Sequence, residues 1–152
     1  MPFIPTPTLL AAALLTAALI AGPARAQNRV ANYGLGTPGT ATYEHFSFWT
    51  NFGRRSDLHY AYGKDRHDLV LRYAGRARLG GQPGFRVRFP DGSLRYLALR
   101  GDSLLVSTSP TATPKTFAWE YEGPVNGVGT ACSVCTADAQ AAATLLRRHY
   151  AQ

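Results

Sequence analysis

Between residues 42 and 121, apolar and aromatic side chains recur in short alternating runs, and clusters of Gly, Pro, Asn or Asp separate the runs. That period predicts antiparallel β-structure, with strands over 42–50, 57–62, 69–79, 85–89, 94–100, 104–107 and 116–121. Short connections make sequence neighbours into sheet neighbours. The expected fold is therefore mainly β, an antiparallel meander of about six to seven strands forming a curved sheet or a small barrel. After residue 136 the period lengthens. Ala139, Ala142 or Ala143, Leu146 and Tyr150 recur at helical spacing, with Asp138 near the start and Arg147 and Arg148 near the end, where they suit the helix dipole. This predicts one C-terminal helix over 136–150, the natural cover for an open end or edge of the sheet.

Asp91-Gly92 is the residue pair that a two-residue type I′ turn favours. A hairpin centred on it pairs Phe89 with Leu94, Val87 with Tyr96 and Phe85 with Ala98, and sets Arg88 opposite Arg95. Carrying the parity across the loop at 80–84 aligns Leu71, Tyr73, Ala77 and Leu79 with the apolar face. The other face then collects Arg72, Arg76, Arg78, Arg86, Arg88 and Arg95. Like charges directly opposed across strands cost about 0.2–1 kcal/mol a pair, so such a surface needs either a ligand or a covering of acids. In the first case it takes an anionic partner (envelope polymer, nucleic acid or acidic protein) through bidentate arginine contacts. In the second, Glu120 and Glu122, which alternate with Phe117, Trp119 and Tyr121, lie over the arginines as solvated ion pairs.

Composition narrows the classes. The chain has 152 residues, 16 Lys and Arg against 9 Asp and Glu, and a net charge of +7. Charged residues at 16% are too sparse and aromatics at 11% too frequent for a disordered chain, and the length suits one domain. The 2 cysteines exclude a disulfide-dense miniprotein and a four-cysteine zinc site. Of the 16 basic residues 14 are Arg, which fits carboxylate or phosphate recognition and equally fits a GC-rich coding bias. The uncharged run at 9–21 is 13 residues long, short of the roughly 20 a membrane-spanning helix needs but suited to a signal-peptide core. Gly22-Pro23 ends that helix, and Ala24-Arg25-Ala26 reads as its cleavage site. The expected organisation is a signal peptide at 1–26, a flexible lead-in at 27–41 and a single β-rich domain at 42–152, exported to the periplasm or the medium without stable membrane insertion.

Cys132-Ser133-Val134-Cys135 reads as a short-loop disulfide in an oxidising compartment, fastening the preceding turn to the helix start. A thiol-active or envelope-modifying enzyme is the alternative, since a thiol before a helix is acidified. The thioredoxin arrangement sets its motif early in a βαβ unit, and c-type haem attachment needs His where Thr136 stands. His45, His59, His67 and His149 complete the inventory. His67, beside Asp65 and Asp68, follows Gly63 and reads as part of a polar hairpin loop. With no metalloprotease, nucleophile-elbow or phosphate-loop motif, no catalytic residue, metal or cofactor is assigned. Phe46, Phe48, Trp49, Tyr60, Tyr62, Phe117, Trp119 and Tyr121 are expected mainly in the core, with an outward subset able to stack on sugars or bases.

The stretch from Thr116, TFAWEYEGPVNGVGTACSVC, resembles the end of short exported proteins of the Bacteroidota, of the Hymenobacter kind. The resemblance implies a bacterial secreted or periplasmic protein and brings no activity or site residue with it. Together these observations point to an exported, non-enzymatic domain that binds an anionic partner. The alternatives are the thiol-active enzyme and a structural protein without a ligand.

Overall fold

The computed structural model describes residues 28–121 and 135–152, so the expected leader at 1–26, Glu122 and Cys132 lie outside the described residues. The chain forms β1 (Arg29–Leu35), β2 (Glu44–Asn51), β3 (Arg54–Tyr62), β4 (His67–Val70), β5 (Arg72–Leu79), β6 (Gln82–Arg88), β7 (Leu94–Arg100), β8 (Ser103–Ser107), β9 (Lys115–Glu120) and α1 (Ala139–His149). All sheet pairings are antiparallel, in the order β4-β3-β2-β1-β9-β8-β7-β6-β5. The fold is thus a mainly β meander with one C-terminal helix, and the strand count is higher than the sequence pattern suggested. β4 and β5 stand at the two ends of the order yet are joined by the single residue Leu71. The sheet must therefore curl into a half-barrel. Leu71 is buried, and its N–H donates to Leu58 O at 2.7 Å, so the expected strand 69–79 is divided where the chain leaves β3.

The other added strand corrects the lead-in. Residues 29–35, expected to be flexible, form β1 between β2 and β9. Ala31 and Tyr33 enter the core while Asn32 and Gly34 take the other face, and neither of those is a strand former. The reason is local. Asn32 belongs to a buried polar network, and the Glu120 carboxyl group occupies the space a side chain on Gly34 would need.

The β6–β7 hairpin also departs from expectation. Phe85 pairs with Leu97, Arg86 with Tyr96, Val87 with Arg95 and Arg88 with Leu94, one residue out of the expected register. Phe89 N donates to Ser93 O and Gly92 N to Phe89 O, both at 2.9 Å, and Gly92 has φ +86°. Pro90-Asp91-Gly92 is a three-residue loop built on a type I turn, because proline's fixed φ suits the first turn position and draws Pro90 out of the strand. The two-residue turn with positive φ at both positions occurs elsewhere, at Phe52-Gly53 between the paired Asn51 and Arg54. A bulge between Tyr73 and Arg76, where Gly75 has φ +100°, reverses the parity of β5. Leu79, expected beside Tyr73, instead joins Ala98 and Leu105 in a small cluster on the convex side.

The concave side holds the main core. Inward residues of the strands pack with Ala142, Ala143, Leu145 and Leu146 of α1 in one cluster. Each fully buried Leu or Phe contributes about 1.5–3 kcal/mol of transfer free energy. α1 starts at Asp138, whose carboxylate accepts from Ala141 N at 2.7 Å, and ends with Arg147, Arg148 and His149 in its last turn. Beyond it Tyr150 enters the core, with ring centroids 5.4 Å from Phe48 and 5.3 Å from Phe85. Its hydroxyl donates to Trp49 O at 2.8 Å, closing the helix end of the half-barrel. No helix among the described residues is long and apolar enough to cross a membrane.

Candidate functional site

The arginines singled out from the sequence do not share one face. Arg72 and Arg88 are direct cross-strand partners and both are exposed. Arg86 has the parity of Arg88 and pairs with Tyr96. Its guanidinium lies over Gly75, so the glycine that makes the bulge also leaves the room, and its Nε is buried without a hydrogen-bond partner among the described residues. Arg76 and Arg78 pair with Phe85 and Pro83, which puts them on the opposite parity. Arg95 pairs with Val87, so the register slip turns it to the concave side instead of setting it opposite Arg88. The structure therefore brings Arg72, Arg86 and Arg88 together and separates the other three.

Arg72 and Arg88 flank a groove of 420 Å³ between the end of β4 and the β6–β7 turn, lined also by Val70, Phe89, Pro90 and Gly92. Arg88 Nη1 donates to Gly92 O at 3.0 Å, which holds its guanidinium at the groove. The expected covering of acids is not found among the described residues. Their charge pairs are His45–Glu120, His59–Asp68 and Lys115–Glu44, none of which uses an arginine. Glu120 faces another set of groups altogether.

That set is a polar network on the side of β1 and β2 away from the main core. Glu120 Oε2 accepts from the Tyr43 hydroxyl at 2.6 Å and lies 3.2 Å from His45 Nδ1. His45 Nε2 is 2.9 Å from Ser47 Oγ, which donates to Asn32 Oδ1 at 2.9 Å. The Asn32 amide in turn donates to Cys135 Sγ at 3.3 Å. Burial works against the Glu120 carboxylate most strongly, but the hydrogen bonds from His45 and Tyr43 and the nearby positive charge outweigh it and hold the carboxyl below its ordinary range. Burial and the same hydrogen bond push the Tyr43 phenol up.

Acid, imidazole and hydroxyl follow one another here as in a serine-hydrolase triad. The chemistry does not follow the order. Ser47 directs its proton to Asn32 rather than to His45, and Asn32, His45 and Ser47 are all buried. The network satisfies the buried polar groups on that side of β1 and β2 and ties them to the segment before α1, where Thr136 N donates to Val30 O at 2.9 Å. Sequence reading missed it because its members come from β1, β2, β9 and the segments before β2 and α1.

The remaining candidates fall simply. The 63–66 segment is the β3–β4 turn, with Tyr62 paired to His67, and Asp68 bonds His59 Nδ1 at 2.9 Å. Among the described residues no three His, Cys, Asp or Glu side chains gather as a metal site. Cys135 is buried, while its expected partner Cys132 lies outside the described residues. Phe46, Phe48 and Phe117 are core residues, Tyr60 and Trp119 pack partly against them, and Tyr62 and Tyr121 are exposed. The chain matches no protein-family model, no curated protein and no solved structure.

Proposed function

We propose that the chain is a non-enzymatic binding domain for an anionic partner, working outside the inner membrane, and that Arg72, Arg88 and the neighbouring Arg86 make the primary contact. The carrying observation is the direct pairing of Arg72 with Arg88 beside a groove, with no arginine in a charge pair among the described residues. Two arginines paired directly across strands repel until an anion lies between them, and each can form paired hydrogen bonds to a phosphate, sulfate or carboxylate group. Arg76, Arg78 and Arg95 have no part in this contact. Export is supported by the apolar run at 9–21 and the Ala24-Arg25-Ala26 cleavage pattern. Cys132 and Cys135 are read as a fastening between the chain after β9 and the start of α1.

The test is binding of heparin to the purified chain over a salt series, alongside the double variant Arg72→Ala/Arg88→Ala and the control Arg76→Ala/Arg78→Ala. Each lost contact lowers the slope of log affinity against log salt by about one, so the first variant is expected to lose about two and the control much less. Equal slopes for both variants and the parent would refute the assignment.

A further inference from the structure

The concave side ends in a second cavity. Inward rows run along each strand from the helix-closed end toward the opposite mouth: Phe48, Phe46 and Glu44 on β2, Leu99, Leu97 and Arg95 on β7, and Trp119, Phe117 and Lys115 on β9. The register fixes this direction, since Arg95 pairs with the core residue Val87 and Lys115 with the core residue Val106. On β2, β7 and β9 the inward rows thus turn from apolar to charged at the mouth, where they surround a cavity of 310 Å³ floored by Phe46, Tyr60, Phe89 and Val106.

The charges there do not cancel. Lys115 Nζ contacts Glu44 Oε1, and the Tyr60 hydroxyl donates to Glu44 Oε2 at 2.9 Å, so both carboxylate oxygens are engaged. Arg95 is left over. Its guanidinium carbon stands 5.0 Å from the Phe89 ring centroid, its Nη1 donates to Leu94 O at 3.0 Å, and no carboxylate of the described residues pairs with it. The site presents an apolar and aromatic floor with one partly buried cation at its rim that forms no ion pair among the described residues.

The geometry points to a binding site for a medium-chain monocarboxylate, with the tail on Phe46, Phe89 and Val106 and the carboxylate on Arg95. Apolar pockets with a few placed polar groups, opening at a barrel mouth, are the usual form of small-molecule sites. The cavity holds about ten water volumes, which suits a tail of about eight to ten carbons. The engaged Glu44 closes the rim beside Lys115 and repels a second anionic group, so dicarboxylates are disfavoured. The Arg72–Arg88 groove shares Phe89 with this cavity, but its arginines stand on the opposite face of the sheet from Arg95.

Decanoate titrated into the purified chain by calorimetry, with decanol as the uncharged analogue, tests the inference. Decanoate is expected to bind, Arg95→Gln to weaken it about tenfold or more while leaving decanol unchanged, and Arg95→Lys to restore part of the loss. Val106→Phe, which fills the floor, is expected to weaken both compounds. The groove variant Arg72→Ala/Arg88→Ala should bind decanoate like the parent, which separates this inference from the heparin result. No decanoate binding at millimolar concentration, equal affinity in Arg95→Gln, or loss only in the groove variant would overturn it.

Discussion

Replacing Tyr150 by phenylalanine removes one oxygen and leaves the ring in place. That oxygen donates to Trp49 O at 2.8 Å, and Tyr150 is 1% exposed, so water cannot take over the bond. The net value of a buried hydrogen bond is about 0.5–1.5 kcal/mol, and an orphaned buried carbonyl costs about 1–3 kcal/mol, which gives an expected loss of about 1–3 kcal/mol. Tyr150→Ala also removes ring contacts with Phe48, Phe85 and Tyr73, and is expected to cost about 3–5 kcal/mol. Equilibrium urea unfolding, followed by tryptophan fluorescence and by far-ultraviolet circular dichroism, measures both losses. The slope against urea should stay constant in the phenylalanine variant, since no surface is newly exposed in the native state. A phenylalanine variant within about 0.3 kcal/mol of the parent would refute the reasoning, because the hydroxyl would then be hydrated and the end of α1 undocked.

Phe52 occupies a left-handed backbone position at φ +49° and is 78% exposed, so it has strain without compensating contacts; Phe52→Asn should raise stability by about 1 kcal/mol in thermal unfolding. Gly34→Ala should displace the Glu120 carboxyl group from Tyr43 and His45 and lower stability by at least about 2 kcal/mol in urea, more than alanine at the unhindered Gly39, where the cost comes from positive φ alone. The depressed Glu120 carboxyl gives a pH signature. Its contribution is fully present above the ordinary value of 4.5 and is lost as pH falls through the lower value of the folded state, so the stability gap between parent and Glu120→Gln should narrow below about pH 4.5 in a series of urea titrations. A gap that widens on acidification would contradict the sign.

The strand pattern was legible wherever one side of the sheet is buried and the other wet. The 85–88 stretch of β6 and the 116–119 stretch of β9 alternate in that way, and α1 declared itself through its period and its end charges. β1 was hidden because its outward residues are a buried Asn and a glycine shaped to Glu120, which read as loop residues. Two local choices carried the largest consequences. Pro90 entered the turn rather than the strand, and Gly75 opened a bulge, and each moved a whole row of side chains to the other face. A composition of arginines along three strands therefore could not reveal which of them meet. The mouth cavity was beyond reach for a related reason, since its lining comes from β2, β3, β7, β8 and β9 and the β6–β7 turn.

The separation of the arginines makes a stability measurement informative about function. Arg72 and Arg88 oppose each other directly on an exposed part of the sheet, which costs about 0.2–1 kcal/mol in the absence of a ligand. Arg72→Ser should accordingly stabilise the unliganded chain by about that amount, and raising the salt concentration should shrink the gain by screening the repulsion. A structural protein without a ligand gives the same stabilisation, with no binding to lose. A domain that uses the pair gives stabilisation together with loss of heparin affinity, because the groups whose repulsion is relieved are the groups that held the anion. If Arg72→Ser destabilised the chain instead, Arg72 would be held in place by packing or hydrogen bonding, and the Arg72–Arg88 pair could not be the origin of an anion site.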